Sequence, residues 1–151
     1  MNYHVRIIEV AQDMEEEVVV EVLGRRLTCF ASVCPHAILP GGLYSADFSL
    51  WAANGLELRE TNEEEDFGLT QLGEGFRYRV VGLLDGAVLD AGIQFEDEAF
   101  TAEYGFLTKH KVVTEVDRIQ IAFVGPANSD DIEYQLTTRK NPQPKNRNQA
   151  E

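Results

Sequence analysis

Long hydrophobic runs are missing from this chain. No stretch approaches the roughly 20 apolar residues that a membrane helix needs. The opening residues MNYHVRIIEV lack the charged, apolar and small-residue zones of a secretory signal. Cysteine is scarce as well: two residues in 151 exclude a disulfide scaffold and suit a reducing compartment. A cytoplasmic location is the expectation from these absences.

Helical periodicity is equally short. No window sustains apolar residues at i, i+3, i+4 and i+7 over three turns, so at most one short helix is expected, in EDEAFTAEY at 96–104. The phosphate-cradling GxxxxGK[ST], the dinucleotide GxGxxG, the nucleophile elbow GxSxG and the zinc-protease HExxH are all absent. Nothing in the sequence implies a cofactor.

Basic residues are outnumbered two to one, 13 against 26 acidic ones, for a net charge of −13. The final segment 139–151 holds four of the cations and only Glu151 as an acid, so residues 1–138 carry nine basic and 25 acidic groups, −16. Nucleic-acid binding needs cations to neutralise phosphates, and this body has the opposite sign. Anionic membrane surfaces are disfavoured for the same reason. A protein partner with a basic surface is favoured instead, because opposed charge steers association.

What the chain does contain is alternation of period two around glycine turns. YHVRIIEV at 3–10 reads as a strand, and EEVVVEVLGRRLTCFASV at 16–33 as two strands around Gly24. Short strands follow at 43–51 and 56–60, between the turn signals Pro40-Gly41-Gly42 and Asn54-Gly55. In GFRYRVVGLL, Phe76, Tyr78 and Val80 share one face and Arg77 and Arg79 the other. This segment, 75–84, is expected to form a hairpin with 87–96 through Asp85-Gly86. VDRIQIAFV should close the core with Ile119, Ile121 and Phe123, and the acidic run in TNEEEDFG reads as a solvated loop.

About eight short strands predict an all-β fold: a small closed or partly open barrel of oligonucleotide/oligosaccharide-binding or Greek-key type, or a sandwich. Residues 1–138 should make one domain, and the polar, basic tail 139–151, with no apolar side chain larger than alanine, is expected to be disordered.

Candidate chemistry is sparse. CFASVCPH brings Cys29, Cys34 and His36 within eight residues, but C-x4-C-x-H supplies three metal ligands where structural zinc sites use four. An odd spacing also sends the two thiols to opposite faces of a strand. Cys29 is therefore read as a small core residue and Cys34 as the end of a strand that Pro35 stops. Asp85, Asp90, Glu96, Asp97 and Glu98 surround the expected hairpin, where solvated turn carboxylates are the plain reading. Trp51, Tyr78 and Phe106 are candidate walls of a ligand site at a barrel mouth, and Arg77 and Arg79 candidate contacts for an anion or cross-strand partners for acids.

Three functions follow as expectations. The first is a non-catalytic binding module, an inhibitor or immunity-type protein for a basic partner. The second is a small-ligand binder or enzyme at a barrel mouth, and the third a homodimer or other structural assembly.

Overall fold

A computed structural model describes residues 2–12, 16–33, 37–62 and 64–139. Five strands close into a barrel: β1 (Asn2–Val10), β2 (Glu17–Val22), β3 (Arg25–Val33), β4 (Leu43–Trp51) and β11 (Arg118–Pro126). The order is β1-β2-β3-β11-β4, with β4 returning to pair with β1, and the β3–β11 pair is the parallel one. A five-stranded Greek-key barrel of this kind is the architecture of the oligonucleotide/oligosaccharide-binding type. The expected all-β barrel is therefore the fold, and closure removes the edges that invite aggregation.

Alternation builds it. Val5 and Ile7, Val18, Val20 and Val22, Leu27 and Cys29, Ala46 and Phe48, and Ile119, Ile121 and Phe123 all point inward and are buried. Leu23 and Gly24 make the β2–β3 turn, both with positive φ (51° and 81°), the backbone that a two-residue hairpin loop needs to match the twist of its strands.

Between β4 and β11 the chain inserts a second, six-stranded sheet. It comprises β5 (Arg59–Glu60), β6 (Gly68–Gln71), β7 (Tyr78–Asp85), β8 (Val88–Asp90), β9 (Gln94–Glu96) and β10 (Lys111–Val116). Its inner face shares one hydrophobic cluster with the barrel. The expected hairpin is present through β7 and β8, but its second arm breaks at Ala91–Ile93 and returns as β9.

Two tyrosines stitch the layers together. Tyr3 of the barrel accepts a hydrogen bond from the Gln94 backbone N–H at 2.8 Å, and Tyr78 of the inserted sheet accepts one from the Thr28 N–H at 2.9 Å. Because β3 pairs with β11 only from Phe30 onward, Thr28 lies where that parallel seam has not yet begun, and the Tyr78 hydroxyl caps its N–H.

Two helices form rather than one. Helix α1 (Glu98–Tyr104) matches the expected segment, is capped by Asp97, whose side chain accepts from the Ala99 N–H, and runs into a 3-10 turn at Gly105–Leu107. Helix α2 (Ser129–Arg139) corrects the expectation of a single helix. It starts on a reciprocal cap in which Asn128 and Asp131 each bond the other's backbone N–H. Gln135 anchors it: the side-chain amide accepts from His4 N–H at 2.6 Å and donates to His4 C=O at 2.7 Å, taking the place of a neighbouring strand. The tail expected to be disordered lies, beyond Arg139, outside the described residues.

The acidic run is also more engaged than a solvated loop. Glu65 pairs with Arg79, and its carbonyl accepts from Lys111 Nζ.

One buried hydroxyl is unmatched. Thr114 is 3% exposed on β10 opposite Val80, and its Oγ1 has no partner among the described residues. Thr114→Val keeps the shape and removes the orphan, so the variant is expected to gain about 1 kcal/mol in urea denaturation. Equal or lower stability would show that the hydroxyl is satisfied.

Candidate functional site

The inward side chains of the five barrel strands are buried in one hydrophobic cluster. Two open clefts flank the segment Ala52–Glu57, which links the barrel to the inserted sheet.

The first, about 530 Å³, lies on the outer face of the inserted sheet and holds Arg59, Arg77, Arg79, Glu57, Glu115 and Asp117. Parity places Arg59, Arg79 and Glu115 there, since odd positions on β5, β7 and β10 face away from the barrel while Tyr78, Val80 and Val112 face it. Arg79 stands opposite Glu115 in the β7–β10 ladder and bonds it at 3.2 Å, and Arg77 approaches the same carboxylate at 3.7 Å. The Glu65 carboxylate beside Arg79 raises the guanidinium pKa further. These two arginines thus serve cross-strand and loop pairing, while Arg59 has no ion pair among the described residues.

The second cleft, about 450 Å³, lies between α1 and the end of β4. Trp51, Leu56 and Tyr104 give it apolar walls, and Glu57, Glu103 and Asp97 line it with carboxylates. Asp97 is engaged as the α1 cap, and Tyr104 donates to the Leu56 carbonyl at 3.0 Å, tying the helix to the linking segment. Glu57 and Glu103 are exposed. An aromatic wall beside unneutralised carboxylates suits a cationic side chain, through ring-face attraction and charge.

The residues singled out from sequence do not form one site. Arg77 and Arg79 line the first cleft and Trp51 the second. Tyr78 is buried between the layers, where desolvation raises its pKa and the Thr28 N–H partly offsets the rise. Phe106 is 76% exposed, its ring centroid 6.3 Å from that of Tyr104, and it lines neither cleft.

The turn carboxylates are used singly. Asp85 pairs with Lys109 at 3.2 Å, and Asp90 accepts from the Gly92 N–H and the Gln94 side chain.

Cys29 is buried in the barrel core, and burial pushes its thiol pKa up, which keeps it protonated and inert. Cys34 and His36 lie outside the described residues. Among the described residues no group of three His, Cys, Asp or Glu side chains is placed to hold a metal ion. His4 Nδ1 and Ser45 Oγ lie 3.0 Å apart on the barrel wall, yet neither lines either cleft.

Glu57, Glu103 and Arg118 escaped the sequence reading. Their neighbours come from other elements, Glu57 meeting α1 and Arg118 pairing with Trp51 across 67 positions of chain. No local spacing carries that signal.

Residues 1–124 match the model of a family described as "Uncharacterised conserved protein UCP019853". The match covers the barrel and the inserted sheet as far as β11 and stops short of α2. No curated protein and no solved structure matches the chain. Among the described residues no helix is long and apolar enough to cross a membrane.

Proposed function

The chain belongs to this uncharacterised conserved family, and we propose that it is a non-catalytic, cytoplasmic binding module that docks a protein with a basic surface. The observation that carries the reading is the aromatic and acidic cleft of Trp51, Tyr104, Glu57 and Glu103 beside the barrel. Charge supports it. Ion pairs among the described residues include Glu21, Glu60, Glu65, Asp85 and Glu115, and because the 26 acids outnumber the 13 cations two to one a net negative field remains. A lysine or arginine of the partner enters the cleft against the Trp51 ring, and the surrounding field speeds the encounter. Neutralising a basic enzyme or toxin, as an inhibitor or immunity-type protein does, is one form of this role.

The other two readings have less behind them. A barrel-mouth ligand site needs Trp51, Tyr78 and Phe106 to converge, and they stand apart. Edge-to-edge assembly needs a long unpaired strand, whereas the inserted sheet ends in β5, β6 and β9, of two, four and three residues.

Affinity capture with the purified chain at low salt tests the proposal. The wild type is expected to retain basic proteins, and Glu57→Lys/Glu103→Lys, two exposed changes with little effect on folding, to retain them at least about tenfold less. Equal capture by the variant would remove the cleft from the interface.

A further inference from the structure

Arg118 is held in a way that its surroundings do not explain. Its guanidinium carbon lies 3.9 Å from the centroid of the Phe30 ring and 4.2 Å from that of Trp51, so the cation is stacked between two aromatic faces on the outer wall of the barrel. Phe76 packs edge-on against Phe30 at 5.8 Å and holds that ring in place. Nε of Arg118 donates to Gln120 Oε1 at 3.1 Å, and Gln120 is steadied in turn by Ser49 Oγ at 3.5 Å. Position, tilt and rotation of the planar fork are therefore all fixed.

Its working edge is empty. A guanidinium has five in-plane N–H donors, and the four on the two Nη atoms have no partner among the described residues. The same residues give Arg118 no ion pair, although the chain has 26 acids. Asp117, the nearest in sequence, is turned to the Ala53 N–H, which it accepts at 2.7 Å. Stacking blocks approach from either face, so a ligand must come in the guanidinium plane, where a carboxylate accepts two parallel N–H bonds. Trp51 is 39% exposed and offers apolar surface beside the cation to a chain bearing that carboxylate.

We propose that Arg118, clamped between Phe30 and Trp51, is a binding site for a single carboxylate presented by a peptide, an aspartate or glutamate of a docked partner. The −16 body excludes polyanions by repulsion but leaves one pre-organised cation for one isolated acid, which would set the register of docking. This goes beyond the basic-partner reading and stands without it: Trp51 borders both, but the binding group here is Arg118, held also by Phe30, and the ligand has the opposite charge.

Trp51 is the only tryptophan, so indole emission reports from the face of this cation. The probes are a blocked Gly-Asp-Gly peptide, its Gly-Asn-Gly counterpart, acetate, inorganic phosphate and chloride, all at matched ionic strength. The aspartyl peptide is expected to change the emission saturably, and the asparaginyl peptide and chloride not to. Arg118→Lys keeps the charge but loses the fork, and should weaken the aspartyl response by about tenfold. Gln120→Ala, which frees the fork to rotate, should weaken it less. Acetate saturating as readily as the peptide would support the carboxylate and assign it to a free acid. An equal response to the asparaginyl peptide or to chloride, tighter saturation by phosphate, or undiminished affinity in both variants would overturn the proposal.

Discussion

Gly82→Ala is expected to cost about 2–3 kcal/mol and lower the melting temperature by about 5–10 °C, the largest effect we foresee for a single methyl group. Gly82 lies in β7, where the inserted sheet is crossed by its own β8–β9 return. A Cβ there would fall 2.5 Å from the Asp90 carbonyl oxygen and 2.8 Å from its carbon, both backbone atoms with no rotamer to yield. Relief requires moving β8, whose Leu89 is fully buried and whose Asp90 pairs with Leu83. Thermal unfolding followed by circular dichroism checks this. A variant within 0.5 kcal/mol of wild type would mean that β8 does not approach β7 so closely.

Tyr78→Phe is the second. It keeps the ring in the core and removes the acceptor of the Thr28 N–H, leaving a donor at the start of the barrel's parallel seam with no partner. An orphaned buried group costs about 1–3 kcal/mol, and the loss should appear in urea denaturation with an unchanged slope. Hydrogen exchange locates it: the Thr28 amide should exchange faster in the variant while β1 and β2 stay protected. Tyr3→Phe, which orphans the Gln94 N–H instead, should loosen the other stitch and spare Thr28. If Tyr78→Phe left Thr28 protected, water or another acceptor would already serve that amide.

Alternation along single strands made much of this architecture legible. Ile119, Ile121 and Phe123 in VDRIQIAFV turn inward, as their period of two requires. Cys29 is buried for the same reason, its parity placing it with Leu27. Helix α2 escaped because its sequence, SDDIEYQLTTR, has no apolar stripe. Its Gln135 bonds the backbone of His4, which is 131 positions away. Tyr78 was misleading for a related reason. Alternation showed that it points away from Arg77 and Arg79, but not that another layer waits there to bury it. The clefts and the Arg118 clamp depend on pairings such as Arg118 with Trp51, which only the closed barrel creates.

Electrostatics then divides the surface into unequal parts. The first cleft matches its arginines with acids from neighbouring strands and loops, so its charges are largely spent internally. The second presents Glu57 and Glu103 beside an aromatic wall that includes Trp51, the same indole that stacks on Arg118. Both proposed sites border Trp51, so Trp51→Ala is expected to weaken each of them.

Stopped-flow association with the captured basic partner, from about 20 to 500 mM salt, reads out whether docking is steered by the acidic field of the protein. The rate constant is expected to fall at least about tenfold across that range, with dissociation changing much less. An association rate indifferent to salt would contradict that steering.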